Sequence, residues 1–184
     1  GVECWGANGD SQVGRMSSGI GDFASSPVAL GGLSMLTVVA TGGYHSCAGT
    51  ESGALACWGA GRFGQLGDGG LASAHVPVCA SLTSAVSVVG PGENHTCVVT
   101  VDGSVWCWGL NNAGQLGLGD TTIRSLPERL PVLAATPTQI AGGRVHTCAL
   151  LSTGALACWG ANASGQLGTG TTSPSLTPVL ITLP

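Results

Sequence analysis

Residues 141–170 have the sequence AGGRVHTCALLSTGALACWGANASGQLGTG, and much of the chain repeats it with small changes. Residues 89–119 (VGPGENHTCVVTVDGSVWCWGLNNAGQLGLG) and 40–69 (ATGGYHSCAGTESGALACWGAGRFGQLGDG) are two further copies, and residues 3–14 (ECWGANGDSQVG) are the second half of another. The tryptophan after the second cysteine recurs at intervals of 53, 50 and 51 residues, at Trp5, Trp58, Trp108 and Trp159. A fixed period near this length indicates a protein built from stacked structural repeats.

The composition indicates an all-β chain and narrows the classes of function. Only 4% of the 184 residues are aromatic and 8% are charged, while 32 are glycine, so burial must come from many short strands joined by tight turns. The chain has five arginines, no lysine and a net charge of -4, which argues against a nucleic-acid partner, a phosphate-binding loop and a Schiff-base lysine. No run of eighteen uninterrupted apolar residues occurs, so we predict no membrane span.

The spacing of the paired cysteines predicts the register of a β-hairpin in each complete copy. Cys47 and Cys57 are ten residues apart, and Gly53 lies just past their midpoint. A two-residue loop would miss the cysteines by one register step, whereas a three-residue loop that ends in a left-handed glycine places Cys47 opposite Cys57. Directly opposed positions of an antiparallel ladder lie within disulfide reach. The same spacing predicts two further disulfides, Cys97 with Cys107 and Cys148 with Cys158.

The alternation of side chains along a strand predicts where the tryptophans pack. Each hairpin places its disulfide on one face and its indole on the other. We therefore predict that four tryptophans pack between neighbouring repeats: Trp5, Trp58, Trp108 and Trp159. Trp106 has no aromatic counterpart in the other copies, so we predict a surface or interface role for it. The glutamine of each GQLG turn, such as Gln65, is predicted to bond turn backbone.

A histidine stands two residues before the first cysteine of each hairpin. His45 shares a face with Cys47, so two thiols and an imidazole make a zinc set that lacks one ligand. Opposed cysteines satisfy disulfide geometry without a metal, and an oxidised cysteine is not a nucleophile. We therefore predict no metal, no cofactor and no catalytic residue, and we expect the histidines to bond turn backbone.

Two cysteines and two N-glycosylation sequons stand outside the hairpin pattern. By the repeat spacing, Cys4 requires a partner about ten residues upstream, and Cys79 has no counterpart in the other copies. A disulfide between Cys4 and Cys79 is one option, but we favour at least one of them forming a contact outside this segment. The sequons make Asn94 and Asn162 candidate glycosylation sites, although a turn-stabilising role also explains Asn162.

The pattern GGxHxCALxxxGxxxCWGxNxxGQLGxGxT resembles the repeat of the regulator of chromosome condensation family, and the likeness covers nearly the whole chain. The resemblance implies a β-propeller with about seven blades of four antiparallel strands. The doubled cysteines fit secreted members better than nuclear ones. The resemblance also implies a protein-binding scaffold, since nuclear members bind a small GTPase and nucleosomes and a secreted bacterial member inhibits β-lactamases through one propeller face.

The copies divide the chain into four parts. Residues 1–39 are the second half of a repeat, 40–87 and 88–140 are repeats, and 141–184 is a repeat that lacks its final strand. Four CWG segments but three HxC segments make about three and a half repeats, which are incomplete as a ring. An open set of blades exposes sheet edges, so a protein partner has to cover them, either the rest of a longer chain or identical copies.

The cysteine content and the open ring lead to a functional prediction. Disulfides at this density indicate an oxidising compartment, so we predict a secreted or cell-surface protein. We predict a non-catalytic structural or protein-interaction module that belongs to a larger chain or assembly, such as a surface filament or appendage. The alternative is a recognition or inhibitor-like propeller that binds a partner protein through one loop face.

Overall fold

The computed structural model describes residues 1–181, and within them all regular structure is β-strand. The strands are short because glycine-rich turns interrupt the apolar alternation every few residues. This confirms the all-β prediction. The strands are β1 (Val2–Ala7), β2 (Phe23–Leu30), β3 (Leu36–Thr41), β4 (His45–Thr50), β5 (Leu55–Gly59), β6 (Ala74–Cys79), β7 (Val86–Pro91), β8 (His95–Thr100), β9 (Val105–Gly109), β10 (Arg124–Arg129), β11 (Pro137–Gly142), β12 (His146–Leu151), β13 (Leu156–Gly160) and β14 (Ser175–Ile181).

The strands form one two-stranded sheet and three four-stranded sheets, and all pairings are antiparallel. The first sheet contains β1 and β2, the second β3 to β6, the third β7 to β10 and the fourth β11 to β14. The described chain therefore has three complete blades and half of another. This confirms about three and a half propeller repeats in an unclosed ring.

The blades begin earlier in the sequence than predicted. Each four-stranded sheet takes as its first member the strand before its histidine, at 36–41, 86–91 and 137–142. Boundaries at residues 40, 88 and 141 cut through these strands. In the fourth sheet β11 pairs with β12 across a tight turn and β14 is the last strand, and the expectation that the repeat over residues 141–184 lacks its final strand stays a prediction.

The hairpin register is the predicted one. Cys47 lies opposite Cys57, the Thr50 amide donates to the Ala54 carbonyl at 3.0 Å, and Gly53 closes the loop with a φ of 85°. This left-handed conformation favours glycine because it has no Cβ. Three disulfides join the two central strands of the complete blades: Cys47–Cys57, Cys97–Cys107 and Cys148–Cys158.

The hydrophobic core lies between consecutive sheets. The Cys47–Cys57 disulfide of the second sheet packs in one cluster with Trp108 of the third, and the disulfide of the third sheet packs in another with Trp159 of the fourth. Each blade thus presents its disulfide to the next blade and its indole to the preceding one. Because burial occurs between blades, stability depends on nearest-neighbour interfaces.

Candidate interaction surface

We call the interface between two neighbouring blades a joint. At each joint one main-chain carbonyl oxygen accepts hydrogen bonds from the next blade. The Gln65 carbonyl accepts hydrogen bonds from Trp108 Nε1 (2.9 Å) and Thr96 Oγ1 (2.8 Å), both of the next blade. The first joint has the same form, with Trp58 Nε1 and Ser46 Oγ donating to Gln12 at 3.0 and 3.1 Å. At the last joint the donors to the Gln115 carbonyl are Trp159 Nε1 at 2.9 Å and Thr147 Oγ1 at 2.8 Å.

The glutamine side chain holds the turn that presents this oxygen. Gln65 Oε1 accepts a hydrogen bond from the Phe63 amide at 2.9 Å, as predicted for a turn-bonding amide. Gln12, Gln115 and Gln166 each bond the amide two residues earlier at the same distance. The side chain therefore fixes the loop, while the main chain makes the contact with the next blade.

The buried histidines link neighbouring blades rather than bonding turn backbone as expected. His45 Nε2 lies 2.8 Å from Thr96 Oγ1, and His95 Nε2 lies 2.9 Å from Thr147 Oγ1. Each threonine hydroxyl already donates its only proton to a glutamine carbonyl, so it must accept from Nε2. This fixes the Nε2–H tautomer and leaves Nδ1 of both histidines buried without a partner among residues 1–181.

Burial keeps these imidazoles neutral. Desolvation lowers the pKa of His45 to about 4 and that of His95 to about 3, and the neighbouring His45 and His146 also lower the pKa of His95. In the part of the chain that the structure describes, Nδ1 of either histidine has no partner that would stabilise a second proton. Protonation of either histidine therefore destabilises the contact between the blades, because it places a charge in a water-free interface.

Gly92 makes room for the His95 ring. A Cβ at this position would lie 2.1 Å from His95 Cε1 and 2.6 Å from the Gly143 carbonyl oxygen. We expect Gly92→Ala to lower the free energy of unfolding by about 1 to 3 kcal/mol, because the buried ring has no space to move. Gly31→Ala is the matched control, since a Cβ there meets nothing within 4 Å. Urea unfolding of both variants tests this, and equal losses would contradict it.

The two sequon asparagines are buried and hydrogen-bonded, and their glycosylation stays a prediction. Asn162 Oδ1 accepts from the Leu167 amide at 2.9 Å, while its Nδ2 donates to the Thr171 carbonyl at 2.9 Å. Asn94 is 9% exposed, and its Oδ1 accepts from Gln65 Nε2 at 3.3 Å. A glycan on either Nδ2 would require the turn to open, because each nitrogen already bonds protein.

The exposed side of the first sheet carries the same residue types as the internal joints, but without a covering blade. Trp5 is 65% exposed, whereas Trp58, Trp108 and Trp159 are completely buried. Within residues 1–181 no sheet lies against Trp5, so its packing between blades stays a prediction. We call the side of the first sheet that carries Trp5 the first-sheet surface.

The far side of the fourth sheet is the complementary half of a joint. His146, Cys148, Leu156 and Gln166 are partly exposed, whereas their counterparts in the second and third sheets are buried. We call these four residues the last-sheet surface. One end of the array thus presents an indole donor, and the other presents the turn with the glutamine carbonyl that an indole bonds at every internal joint.

Trp106 belongs to the core between blades rather than to the surface. It is partly buried and packs against the cluster shared by the second and third sheets, and its Nε1 is enclosed without a hydrogen-bond partner in the described chain. The reason is that Trp106 lies on the same strand face as Trp108, which points to the preceding blade. Cys4 is a partly buried free thiol and Cys79 an exposed one.

Charged side chains mainly tie loops together. Arg15 and Asp22 pair at 2.8 Å, and Arg124 and Asp120 pair at 2.7 Å. Hydrogen bonds from Arg15 and Asn8 hold the pKa of the Asp22 carboxyl well below its usual range. Residues 1–181 contain no group of three or more His, Cys, Asp or Glu side chains arranged to hold a metal ion.

Residues 1–181 contain no helix that is long and apolar enough to cross a bilayer.

Comparison with known proteins identifies the repeat. The model of the regulator of chromosome condensation (RCC1) repeat matches residues 52–99, 102–150 and 153–184. The chain belongs to the RCC1 repeat family. The ultraviolet-B receptor UVR8 of Arabidopsis thaliana is 37% identical over 191 aligned residues, which cover 100% of this chain and 42% of UVR8. The mitochondrial RCC1 domain-containing protein RUG3 of the same plant is 44% identical over 68 residues, or 36% of this chain and 15% of RUG3.

Solved RCC1-type structures share the fold. Yeast RCC1 (Prp20), solved with Kap60, superposes with a TM-score of 0.82 and 22% identity over 97% of this chain and 44% of the yeast chain. Human WBSCR16 superposes with a TM-score of 0.82 and 24% identity over 95% of this chain and 46% of the human one. The chain thus spans less than half the length of UVR8 and of these two solved chains.

Sequence reasoning missed the two polar contacts that define the joint. The acceptor is a main-chain carbonyl, which every residue has, so no residue type marks it. The hydroxyl donors could have been found in the sequence, because a serine or threonine directly follows the histidine of each copy, at Ser46, Thr96 and Thr147. A hydroxyl at a buried strand position signals a specific partner, since an unsatisfied buried hydroxyl is costly.

Proposed function

We propose that this RCC1-repeat chain is a non-catalytic protein-interaction module of an oxidising, extracellular compartment, and that its two end surfaces bind further RCC1-type sheets. The proposal places it within a larger chain or assembly, such as a surface filament or appendage. The three disulfides support the compartment. Structures of the yeast relative are described with Kap60 and with binding to Gsp1p and histones, which supports protein binding.

The exposure of Trp5 is the observation that carries this proposal. Its counterparts are wholly buried and donate to a glutamine carbonyl of the preceding blade. At the other end Gln166, whose counterparts supply that carbonyl, is only partly buried. Copies joined head to tail can therefore repeat the internal joint, and such a heterologous contact either closes or extends as a filament.

Sedimentation velocity over a range of protein concentrations tests this proposal. We expect self-association that Trp5→Glu weakens by about tenfold or more, because a buried indole is a typical interface anchor. Val132→Glu is the matched control, since Val132 is 90% exposed on a loop away from both end surfaces. A chain that stays monomeric at every concentration would overturn head-to-tail association.

Recognition through the loop face is the second candidate function. The loops that follow β1, β5 and β9 each expose an apolar side chain, namely Ile20, Leu71 and Ile123. Apolar side chains on a rigid scaffold suit a protein partner of different sequence. In the sedimentation experiment Leu71→Glu separates the two surfaces, because head-to-tail association does not use Leu71; self-association that Leu71→Glu weakens and Trp5→Glu leaves unchanged would favour contacts through the loops.

A further inference from the structure

One strand position carries a large side chain in the third blade and a small one in the other complete blades. Trp106 of β9 stands where β5 has Ala56 and β13 has Ala157, next to the second cysteine of each hairpin. Trp106 packs against the core cluster of the second and third blades, as does Leu82 from the connection between them. An indole therefore fills this place at one joint, whereas Ala157 stands there at the next.

A groove of about 300 Å³ lies beside Ala157, between the third and fourth blades. One wall is the connection at residues 131–134, and the other is the outer strand β14. Val132 of the first wall is 90% exposed, and Leu180 of the second is 54% exposed. By position after the outer strand, Val132 corresponds to Leu82, which packs in the same cluster as Trp106. We call this space the rim groove.

The rim groove continues the packed core of the joint between the third and fourth blades. Ala157 and Leu133 line the groove, and both also take part in the hydrophobic cluster that contains Trp159. An apolar side chain placed in the groove therefore extends this core outward and removes apolar surface from water. The chain itself uses an indole for this purpose at the preceding joint, where Trp106 lies in the core cluster.

One polar residue of the rim groove matches an indole N–H. Thr177 is an exposed residue of the groove lining, and its hydroxyl can accept a hydrogen bond. Leu126 stands at this position in the third blade, where Trp106 Nε1 is enclosed without a partner in the described chain. The rim groove thus combines apolar walls with an acceptor that the internal site lacks.

The outer strand beside the groove is poorly suited to strand addition. Pro178 lies within β14, which is the edge strand of the fourth sheet. Proline has no N–H to donate to an added strand, and its ring limits pairing along the edge. A partner at this place is therefore held by a side chain that enters the groove rather than by a backbone ladder.

We propose that the rim groove binds a tryptophan side chain of a separate polypeptide, in the place that Trp106 fills at the preceding joint. Tryptophan is a typical anchor residue of protein interfaces. Among the tryptophans of the chain, Trp5 is the exposed one, and the proposed function assigns it to the first-sheet surface. The inference rests on the protein-interaction part of the proposed function, names what the partner presents, and involves neither end surface.

A methyl-detected NMR titration of the whole chain with the acetylated and amidated peptide Gly-Ser-Trp-Ser-Gly tests the proposal. We expect saturable shifts of the methyl signals of Val132, Leu133 and Leu180, and about tenfold weaker binding when alanine replaces the peptide tryptophan. Equal binding of the alanine peptide, or shifts confined to other methyl groups, would overturn the proposal. Free tryptophan that binds about tenfold more tightly than the peptide would identify a small-molecule site and overturn the polypeptide partner.

Two variants alter the groove, and one serves as a control. Leu180→Glu places a charge on the groove wall, so we expect it to weaken peptide binding by about tenfold. Val76→Glu is the matched control, since Val76 is 53% exposed on the outer strand of the second sheet. Ala157→Trp supplies the indole from within the chain, as in the third blade, and is expected to abolish binding. Binding that neither groove variant weakens would overturn the proposal.

Sedimentation velocity separates this inference from head-to-tail association. We expect Trp5→Glu protein to bind the peptide with unchanged affinity, because the first-sheet surface is not part of the rim groove. Peptide binding by a chain that stays monomeric would leave the inference standing and remove head-to-tail association, and self-association without peptide binding would do the reverse. Self-association that Leu180→Glu abolishes would make Trp5 of a second copy the occupant and overturn a separate partner.

Discussion

Trp108→Ala is expected to lower the free energy of unfolding by about 3 to 5 kcal/mol, the range for removing a buried tryptophan or phenylalanine side chain. Trp108 is completely buried between the second and third blades. Its removal leaves a cavity beside the Cys47–Cys57 disulfide and deprives the Gln65 carbonyl of its 2.9 Å hydrogen bond. Urea unfolding followed by circular dichroism measures the loss.

Trp5→Ala is the matched control for that experiment. The two tryptophans hold the same position in the repeat, but Trp5 is 65% exposed. We expect its replacement in the monomer to change the free energy of unfolding by less than about 0.5 kcal/mol. Equal losses for the two variants would mean that position in the repeat, and not burial between blades, determines the contribution of the indole.

Acid is expected to destabilise the blades well above the pH at which carboxylates titrate. A histidine whose folded pKa is lowered stabilises the fold fully above its unfolded pKa of about 6.5. That stability is lost as the pH falls from there towards about 4 for His45 and about 3 for His95. Each histidine contributes a slope of about 1.4 kcal/mol per pH unit, because the unfolded chain binds the proton that the joint excludes.

Unfolding free energies measured between pH 7 and about pH 5 separate this effect from that of Asp22, Asp102 and Asp120. Hydrogen bonds lower the pKa of these carboxyls, so their contribution is lost only below the usual range of an aspartate, about 3.9. His95→Gln keeps an amide donor for the threonine hydroxyl but cannot titrate, and we expect it to reduce the slope. His75→Gln, at an exposed strand position, is the control. A slope unchanged by His95→Gln would refute the assignment.

The sequence predicted those parts of the fold that depend on neighbouring strands of one hairpin. The ten-residue spacing and the glycine past its midpoint determine that Cys47 faces Cys57, because loop length fixes the register. Alternation then places Trp58 on the opposite face. The spacing does not show where a blade begins, because a periodic sequence repeats identically from any starting point. Only the pairing of β11 with β12 shows where the sheet begins.

The candidate site could be predicted in its residue types but not in its contacts. His45 stands out by its recurrence, yet its partner Thr96 lies 51 residues away, in the next blade. The burial of Asn162 could not be predicted either. Its sequon is a local sequence pattern, whereas the hydrogen bonds of its side-chain amide form only in the folded turn. Trp106 was misplaced for a related reason: a residue type without a counterpart indicates variation, not exposure.

The sequence by itself determined the repeat period, the hairpin register, the cysteine pairs and the alternation of disulfide and indole faces. These features follow from local backbone geometry, which is the same in every copy. The tertiary structure decided which copies of a residue are buried. Trp5 and Trp58 share the local sequence CWGA, but within residues 1–181 only Trp58 has a sheet against it. Burial depends on a neighbouring blade about fifty residues away in the sequence, so the local sequence alone does not determine it.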